Sequence, residues 1–246
     1  MNSRRYFALD GIRGLALLNM IAYHAVWDLV YLFGFNLQWY HSEGAYIWQQ
    51  CICYTFIFLS GFCEPLGKKK LKRGVTVFSL GFLIVLATLI AIPQNRVRFG
   101  VLTLIGSCML LMIPAEKVLR KCRSVYGLIF SITLFLLTRN INQGYLGFGN
   151  WNLLPLPDNW YHNFVTTYLG FPMPGFHSSD YFSLLPWVFL YAAGYFTHRF
   201  FAHYKLLSHL ESSKSRTLEW FGRHSLCLYM IHQPLLYFLF AAVLAL

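Results

Sequence analysis

Three ionisable residues interrupt the first apolar stretch of the chain at regular intervals. Arg13 and His24 are eleven residues apart, and Asp28 follows His24 by four. On an α-helix both steps return to nearly the same face, and the first covers about 16 Å along the axis. A carboxylate beside an imidazole fixes its tautomer and stabilises its protonated form, as a general base requires. The spacing predicts His24 as a base oriented by Asp28; the alternative is a polar network that only holds helices together.

A second polar cluster lies in the first half of the last apolar stretch. Its members are Arg223, Ser225, His232 and Gln233. Helical spacing places His232 about two turns beyond Ser225. We expect His232 to face a polar interior, where it binds a substrate or packs against another helix. For Gly222 and Ser225 the alternative is a small-residue packing face.

Two arginines lie at similar depth near the inner ends of these stretches, Arg13 in the first and Arg223 in the last. Together with the basic cluster Lys68–Arg73 they would line an inner mouth with cations, which suits phosphate groups. The alternatives are structural. For Lys68–Arg73 we favour snorkelling to lipid headgroups, and Arg13 can pair with Asp10.

A third candidate, His41, precedes the second apolar stretch together with Glu43. Both residues are expected at the outer interface, where an extracellular acceptor can be reached. The alternative for His41 is a solvated side chain without a function. The remaining histidines and the six cysteines show no metal-ligand spacing, so no metal site is predicted.

The composition indicates that membrane helices carry these residues. Of 246 residues, 57% are hydrophobic and 12% are charged, against roughly 25% charged in a soluble domain. These values exclude soluble, disordered and coiled-coil proteins. The net charge of +11 does not indicate nucleic-acid binding, because the basic residues lie in short clusters between apolar runs. The chain is therefore predicted to cross a membrane several times.

Seven apolar runs are long enough to span a bilayer, which takes about 20 residues. They cover residues 8–33, 45–66, 74–94, 99–115, 124–139, 181–198 and 220–243. With the N-terminus inside, the inner segments carry Arg4, Arg5, Lys68, Lys69, Lys70, Lys72, Arg73, Lys117, Arg120, Lys121, Arg123, Arg199, Lys205, Lys214 and Arg216, and the outer ones only Arg96, Arg98 and Arg139. This asymmetry follows the positive-inside rule. We predict a single all-α transmembrane domain over 1–246, with seven spans, the N-terminus inside and the C-terminus outside.

The longest segment outside the predicted spans covers residues 140–180. It is rich in Gly, Pro, Asn and aromatic residues and carries almost no charge. Such a segment is expected to lie on the membrane surface or over the mouth of a cavity. With Asp180 at its end, it is a candidate for shaping an acceptor site.

Several segments resemble bacterial relatives of the heparan-alpha-glucosaminide N-acetyltransferase catalytic domain, nearly from end to end. They are Arg5–Ala16, His24–Leu29, Phe56–Gly61, Arg98–Gly106, Ser179–Trp187 and Gly222–Pro234. Arg13 and His24 also fit the spacing of Arg, ten residues and His in the wider transmembrane acyltransferase superfamily. The chain departs from the family at two positions. Lysosomal animal members have Asn at the position of His24, and their catalytic histidine matches His41 most nearly. The related bacterial pattern often has His where Thr103 stands.

The resemblance implies a membrane enzyme that moves an acetyl or other acyl group from cytoplasmic acyl-CoA to an amine or hydroxyl, commonly of a sugar. Acetyl-CoA is the implied co-substrate. Together with the residue patterns above, this makes His24, Asp28 and His41 the expected catalytic residues. The expected cofactor ligands are Arg13, Arg223, Ser225 and His232, and the expected acceptor ligands are Asp180, Trp187 and Gln233. Proton removal by His24 and a two-step transfer through an acylated His24 or His41 both stay open.

The expected location is the bacterial cytoplasmic (inner) membrane. The expected partners are lipids, an acyl-CoA and a glycan or small amine or hydroxyl acceptor, without nucleic acid; a homodimer is left open. Two other functions compete with the enzyme. A proton-coupled transporter would use the intramembrane Arg, His and Asp as a relay, but it predicts inverted repeats, which the sequence does not show. The other is a non-catalytic membrane scaffold.

Overall fold

The computed structural model describes residues 5–212 and 215–244, and these residues are mostly helical, as the sequence predicts. Arg4 and Lys214, which enter the charge count, lie outside the described residues. The α-helices in the described ranges are α1 Phe7–Tyr31, α2 Glu43–Phe62, α3 Lys70–Ala91, α4 Val101–Leu119, α5 Ser124–Leu137, α6 Phe164–Leu169, α7 Leu184–His203, α8 Arg216–Arg223 and α9 Ser225–Leu244.

The fold is not purely α-helical. Strands β1 (Tyr145–Phe148) and β2 (Trp151–Pro155) form an antiparallel hairpin directly after α5. A bulge between Leu146 and Gly147 shifts the register of the two strands. The prediction of an all-α protein is wrong for this segment, because its closely spaced glycines and asparagines favour a tight turn between two short strands.

A long helix occupies each of the seven predicted runs, and within the described ranges four helical segments are long and apolar enough to cross a membrane by length and composition. They are Lys70–Ala91, Val101–Leu119, Ser124–Gln143 and Ser225–Leu244. The complete set of seven spans and its orientation stay predictions. The run predicted at 220–243 is divided, since α8 ends at Arg223 and α9 begins at Ser225.

The described residues fall into two compact units. The terminal unit comprises the described parts of 1–56 and 205–246, and the central unit comprises residues 57–204. In the terminal unit, α1 packs against both α8 and α9. In the central unit, α3 packs against α4 and α5 against α7.

The crossing of α1 and α8 brings two backbones into direct contact at glycines. A methyl group on Gly222 would overlap the carbonyl oxygen of Asp10, and one on Gly14 would overlap that of Leu218. Small residues allow such close approach of helices in membranes. The packing alternative for Gly222 is therefore what the structure shows, and it fixes α1 against α8 near Arg13 and Arg223.

Beyond this crossing, an apolar core fills the terminal unit. It contains the buried side chains of Leu17, Met20 and Ile52, with Trp48 and Tyr229 packed against them. One polar bond also crosses this region, from the indole Nε1 of Trp48 to Asn19 Oδ1 at 3.1 Å. The core holds the middle of α1, and with it the region around His24, in a fixed position.

Candidate active site

The terminal unit brings together two of the predicted histidines, which are 208 positions apart in the chain. His24 lies on α1 and His232 on α9, and their ring centroids are 4.9 Å apart at an interplanar angle of 59°. Tyr23 and Tyr229 add edge and tilted ring contacts on either side. The structure thus joins the two polar clusters that the sequence places in the first and last apolar stretches.

Asp28 is bonded to Gln233, not to His24, in this structure. Asp28 is fully buried, and its Oδ1 accepts a hydrogen bond from Nε2 of Gln233 on α9. Among the described residues, no hydrogen bond joins Asp28 to His24. A buried carboxylate needs a donor, and the amide of Gln233 supplies one from the neighbouring helix; a role of Asp28 in orienting His24 stays a prediction.

The hydrogen bonding of His232 assigns its tautomer. Nδ1 lies 2.6 Å from the carbonyl oxygen of Tyr229. A carbonyl only accepts hydrogen bonds, so Nδ1 carries the proton and Nε2 of the neutral ring is an acceptor. His232 is buried, and its Nε2 has no hydrogen-bond partner among the described residues.

Two further atoms of this cluster, Oδ2 of Asp28 and Oε1 of Gln233, are also buried without a hydrogen-bond partner within the described ranges. Buried polar groups in folded proteins are nearly always hydrogen-bonded, so unsatisfied ones call for a functional or solvent partner. Three unsatisfied acceptors beside His24 form a polar site that can receive hydrogen bonds from the N–H or O–H groups of a substrate.

His41 lies in a short 3₁₀ turn, Gln38–His41, between α1 and α2, and its side chain is exposed. Its ring contacts Tyr31 and Tyr40, with centroids 6.3 and 6.0 Å away. Tyr40 in turn packs on Tyr23, the neighbour of His24, at 5.2 Å. Aromatic rings therefore connect His41 to His24, but the two histidines do not touch.

The arginines proposed for phosphate binding lie at the α1–α8 crossing. Arg13 pairs with Asp10 at 3.5 Å, as the structural alternative predicts, and Arg5 also reaches Asp10 at 3.0 Å. Arg223 is exposed, and its Nε donates to the carbonyl oxygen of Glu219 in its own helix. Ser225 is the first residue of α9.

The acceptor candidates of the central unit both have structural contacts. Oδ2 of Asp180 accepts a hydrogen bond from the backbone N–H of Val101, the first residue of α4, at 3.2 Å. Burial raises the pKa of the Asp180 carboxyl to about 6, and the hydrogen bond from Val101 offsets part of that increase. Trp187 is buried against Phe182 and lies under the guanidinium group of Arg139 at 4.9 Å. An acceptor role for either residue stays a prediction.

A charged network in the central unit was not predicted. Glu64 is buried and accepts a hydrogen bond from the hydroxyl of Tyr191 at 2.9 Å. Nζ of Lys70 lies 3.5 Å from Glu64 and 2.6 Å from Glu116. Lys70 thus pairs with two glutamates instead of lipid headgroups or phosphates. One feature of the sequence pointed to this network. A carboxylate at the end of an apolar run needs a cation, and the basic run Lys68–Arg73 follows Glu64 closely.

Comparison with known proteins supports the resemblance seen in the sequence. The family model described as "Heparan-alpha-glucosaminide N-acetyltransferase, catalytic" matches residues 5–234. No curated protein and no solved structure matches the chain. The family match includes α1, α2 and the part of α9 that carries His232 and Gln233, so it contains the whole polar site described above. The chain belongs to the heparan-alpha-glucosaminide N-acetyltransferase catalytic family.

Proposed function

We propose that this membrane protein transfers an acetyl group from cytoplasmic acetyl-CoA to an amine or hydroxyl of a glycan or similar acceptor. Membership of the family supports an acetyltransferase-type reaction. The observation that carries the proposal is the contact of His24 with His232 beside three buried, unsatisfied acceptor atoms. Such a site can hold an acceptor through its N–H or O–H groups and remove a proton from it.

In the direct mechanism, His24 is the base. The acceptor nitrogen or oxygen attacks the thioester carbonyl carbon while His24 takes its proton. The carbon–sulfur bond then breaks, and the CoA thiolate leaves and is protonated to the thiol. Oδ2 of Asp28 and Oε1 of Gln233 accept further hydrogen bonds from the acceptor and keep its lone pair directed at the carbonyl carbon.

In the two-step mechanism, a histidine carries the acetyl group. A neutral imidazole nitrogen of His24 or His41 attacks the thioester and releases CoA, and the acceptor then takes the acetyl group from the ring. His232 serves either mechanism as a cofactor ligand. Its Nε2 accepts hydrogen bonds, and the amide N–H groups of the pantetheine arm are donors of the right kind.

The phosphates of CoA and part of the acceptor would be bound by residues other than His24 and His232. Arg13 and Arg223, with Ser225, are proposed to bind the phosphates of CoA; each arginine is next in sequence to a glycine of the α1–α8 crossing. Asp180 and Trp187 of the central unit are proposed to shape the acceptor site together with the 140–180 segment. The proposal includes seven spans, the N-terminus inside, the bacterial inner membrane as location and surrounding lipids as partners.

Transfer from radiolabelled acetyl-CoA by purified protein tests the proposal. Wild type is compared with His24→Ala and His41→Ala, and with His209→Ala as a control for an exposed histidine. Loss of a general base lowers the rate about 10²–10⁴-fold. Such a loss in His24→Ala alone supports the first-span base, and a loss in His41→Ala alone moves the reacting histidine to the loop. Wild type that neither binds nor turns over acyl-CoA overturns the enzyme, and the transporter becomes the leading alternative.

A further inference from the structure

The hairpin after α5 carries a largely exposed apolar face, in which only Leu146 is half-buried. Cross-strand pairing places Leu146 opposite Leu154 and Phe148 opposite Trp151. Directly opposite residues project to the same side of a sheet, and positions two apart in β1 share a face. The bulge lies between the pairs, so all four side chains are on one face. Trp151, Leu154 and Phe148 are 78%, 56% and 48% exposed.

Hydrogen bonds from Asn140 tie the hairpin to the end of α5. Nδ2 of the buried Asn140 donates to Oδ1 of Asn152 and to the carbonyl oxygen of Gly149, both at 2.9 Å. Its backbone N–H also bonds the carbonyl oxygen of Gly147 at 3.0 Å. These bonds fasten the hairpin to the end of α5, so its apolar face has a fixed direction and position.

The hairpin directly follows a candidate membrane span. The helical segment Ser124–Gln143 is a candidate membrane span, and β1 begins two residues after it, at Tyr145. If this segment spans, the hairpin emerges where hydrocarbon gives way to headgroups. Trp and Tyr are enriched at this level of a bilayer, because their rings are apolar and their N–H or O–H groups are polar.

The absence of charged residues from this segment also fits a position at the bilayer interface. No Lys, Arg, Asp, Glu or His occurs between residues 140 and 157. A hairpin of 4 and 5 residues per strand that faced water would expose a large apolar patch and unpaired strand edges, which soluble surfaces protect with charges. An uncharged face next to a span is instead suited to lipid.

We propose that the face formed by Leu146, Phe148, Trp151 and Leu154 inserts into the headgroup and upper acyl region of the bilayer at the end of α5. The partner is the lipid surface, and the contact continues the apolar surface that α5 exposes through Ile129, Phe130 and Leu136. This inference does not depend on the proposed acetyl transfer.

Tryptophan quenching in nanodiscs tests the insertion. The chain has 7 tryptophans, so the emission of Trp151 is obtained as the difference between wild type and Trp151→Phe. In phosphatidylcholine nanodiscs with brominated acyl chains, this difference emission should lose most of its intensity, while aqueous iodide should leave it unchanged. Its maximum should also lie to the blue of that of tryptophan in water.

A matched pair of variants compares the two faces of the hairpin. In the Trp151→Phe background, Leu154→Trp adds a probe on the apolar face, and Tyr145→Trp adds one on the opposite face. The brominated lipids should quench the probe at 154 more strongly than the probe at 145. Quenching of Trp151 by iodide alone would overturn the insertion. Protection of Trp151 from both quenchers would also overturn it, because a protein surface such as a second copy would then cover the face.

Discussion

The bond between Asp28 and Gln233 determines how α1 and α9 are held together, and replacing Gln233 with Met tests it. Methionine has nearly the shape of glutamine but cannot donate a hydrogen bond. Asp28 is 0% exposed, and its other carboxylate oxygen has no partner among the described residues. The change therefore leaves a buried carboxyl group without a donor from α9.

The size of the effect follows from the burial. Interhelical hydrogen bonds in membrane proteins contribute ~0.6 kcal/mol on average and up to ~1.7. Leaving a buried polar group unsatisfied costs about 1–3 kcal/mol. We expect Gln233→Met to lower the free energy of unfolding by about 2 kcal/mol. Replacing both partners with apolar groups of similar shape is nearly neutral, so Asp28→Leu with Gln233→Met should recover about 1 kcal/mol or more.

The assay is unfolding in mixed micelles by titration with sodium dodecyl sulfate, followed by circular dichroism. The four proteins of the double-mutant cycle are wild type, the two single variants and the double variant. Gln143→Met is the control, because Gln143 is exposed and lies in the central unit. A double variant that is less stable than either single variant would refute the reasoning, since the two side chains would then contribute independently.

Three further changes test other contacts. Gly222→Ala places a methyl group against the backbone of Asp10, and overpacking of this kind costs about 1–3 kcal/mol, so the melting temperature of the purified protein should fall. Tyr191→Phe removes the hydrogen bond to the buried carboxylate of Glu64. The loss should lower the free energy of unfolding by about 1–3 kcal/mol, and the melting temperature should fall with it. Asp180→Asn keeps a carbonyl acceptor but cannot titrate. Since the pKa of Asp180 is raised from 3.8 to about 6, the folded state binds the proton more tightly, and the stability of wild type relative to the variant should fall as pH rises through this range.

The first two of these changes have a control variant that separates the contact from a general loss of stability. Gly44→Ala is the control for Gly222→Ala, because its methyl group would meet only Ser42 Oγ at an ordinary 3.6 Å. Tyr126→Phe changes a tyrosine that is 65% exposed and should have no effect. Equal melting temperatures within either pair would contradict the contact concerned. Parallel stability curves of wild type and Asp180→Asn between pH 4 and 6 would contradict the raised pKa.

Local patterns predicted the helices well, because period and apolar length are properties of single segments. The run that contains His24 and Asp28 is one helix, and His232 is buried in another, as spacing and cost of burial require. The partner of Asp28 was not predictable in this way. Gln233 is 205 positions away, and only the packing of α1 against α9 decides whether its amide or the imidazole of His24 reaches the carboxylate.

The hairpin and the charged network were also not predictable from the pattern of a single segment. The strands read Tyr-Leu-Gly-Phe and Trp-Asn-Leu-Leu-Pro, and neither shows the alternation of apolar and polar residues that identifies a strand. Lys70 belongs to a basic run that is typical of a lipid-facing loop, yet it binds Glu64 and Glu116. Glu116 is 46 positions from Lys70, so helix packing again selects the partner.

The two ends of α1 carry different parts of the proposed chemistry, and both are fixed by neighbouring helices. Near its start, the glycine crossing with α8 places Arg13 and Arg223 beside one another's helices. Further along, His24 meets His232 and Asp28 meets Gln233 on α9. The rise of the helix separates Arg13 from His24 by about 16 Å. An acyl-CoA needs this kind of layout, because an extended pantetheine arm separates its phosphates from its thioester. The double contact keeps the proposed anion-binding end and the proposed reacting end at a constant spacing along one rigid element, which fits the proposed acetyl transfer better than either polar cluster does alone.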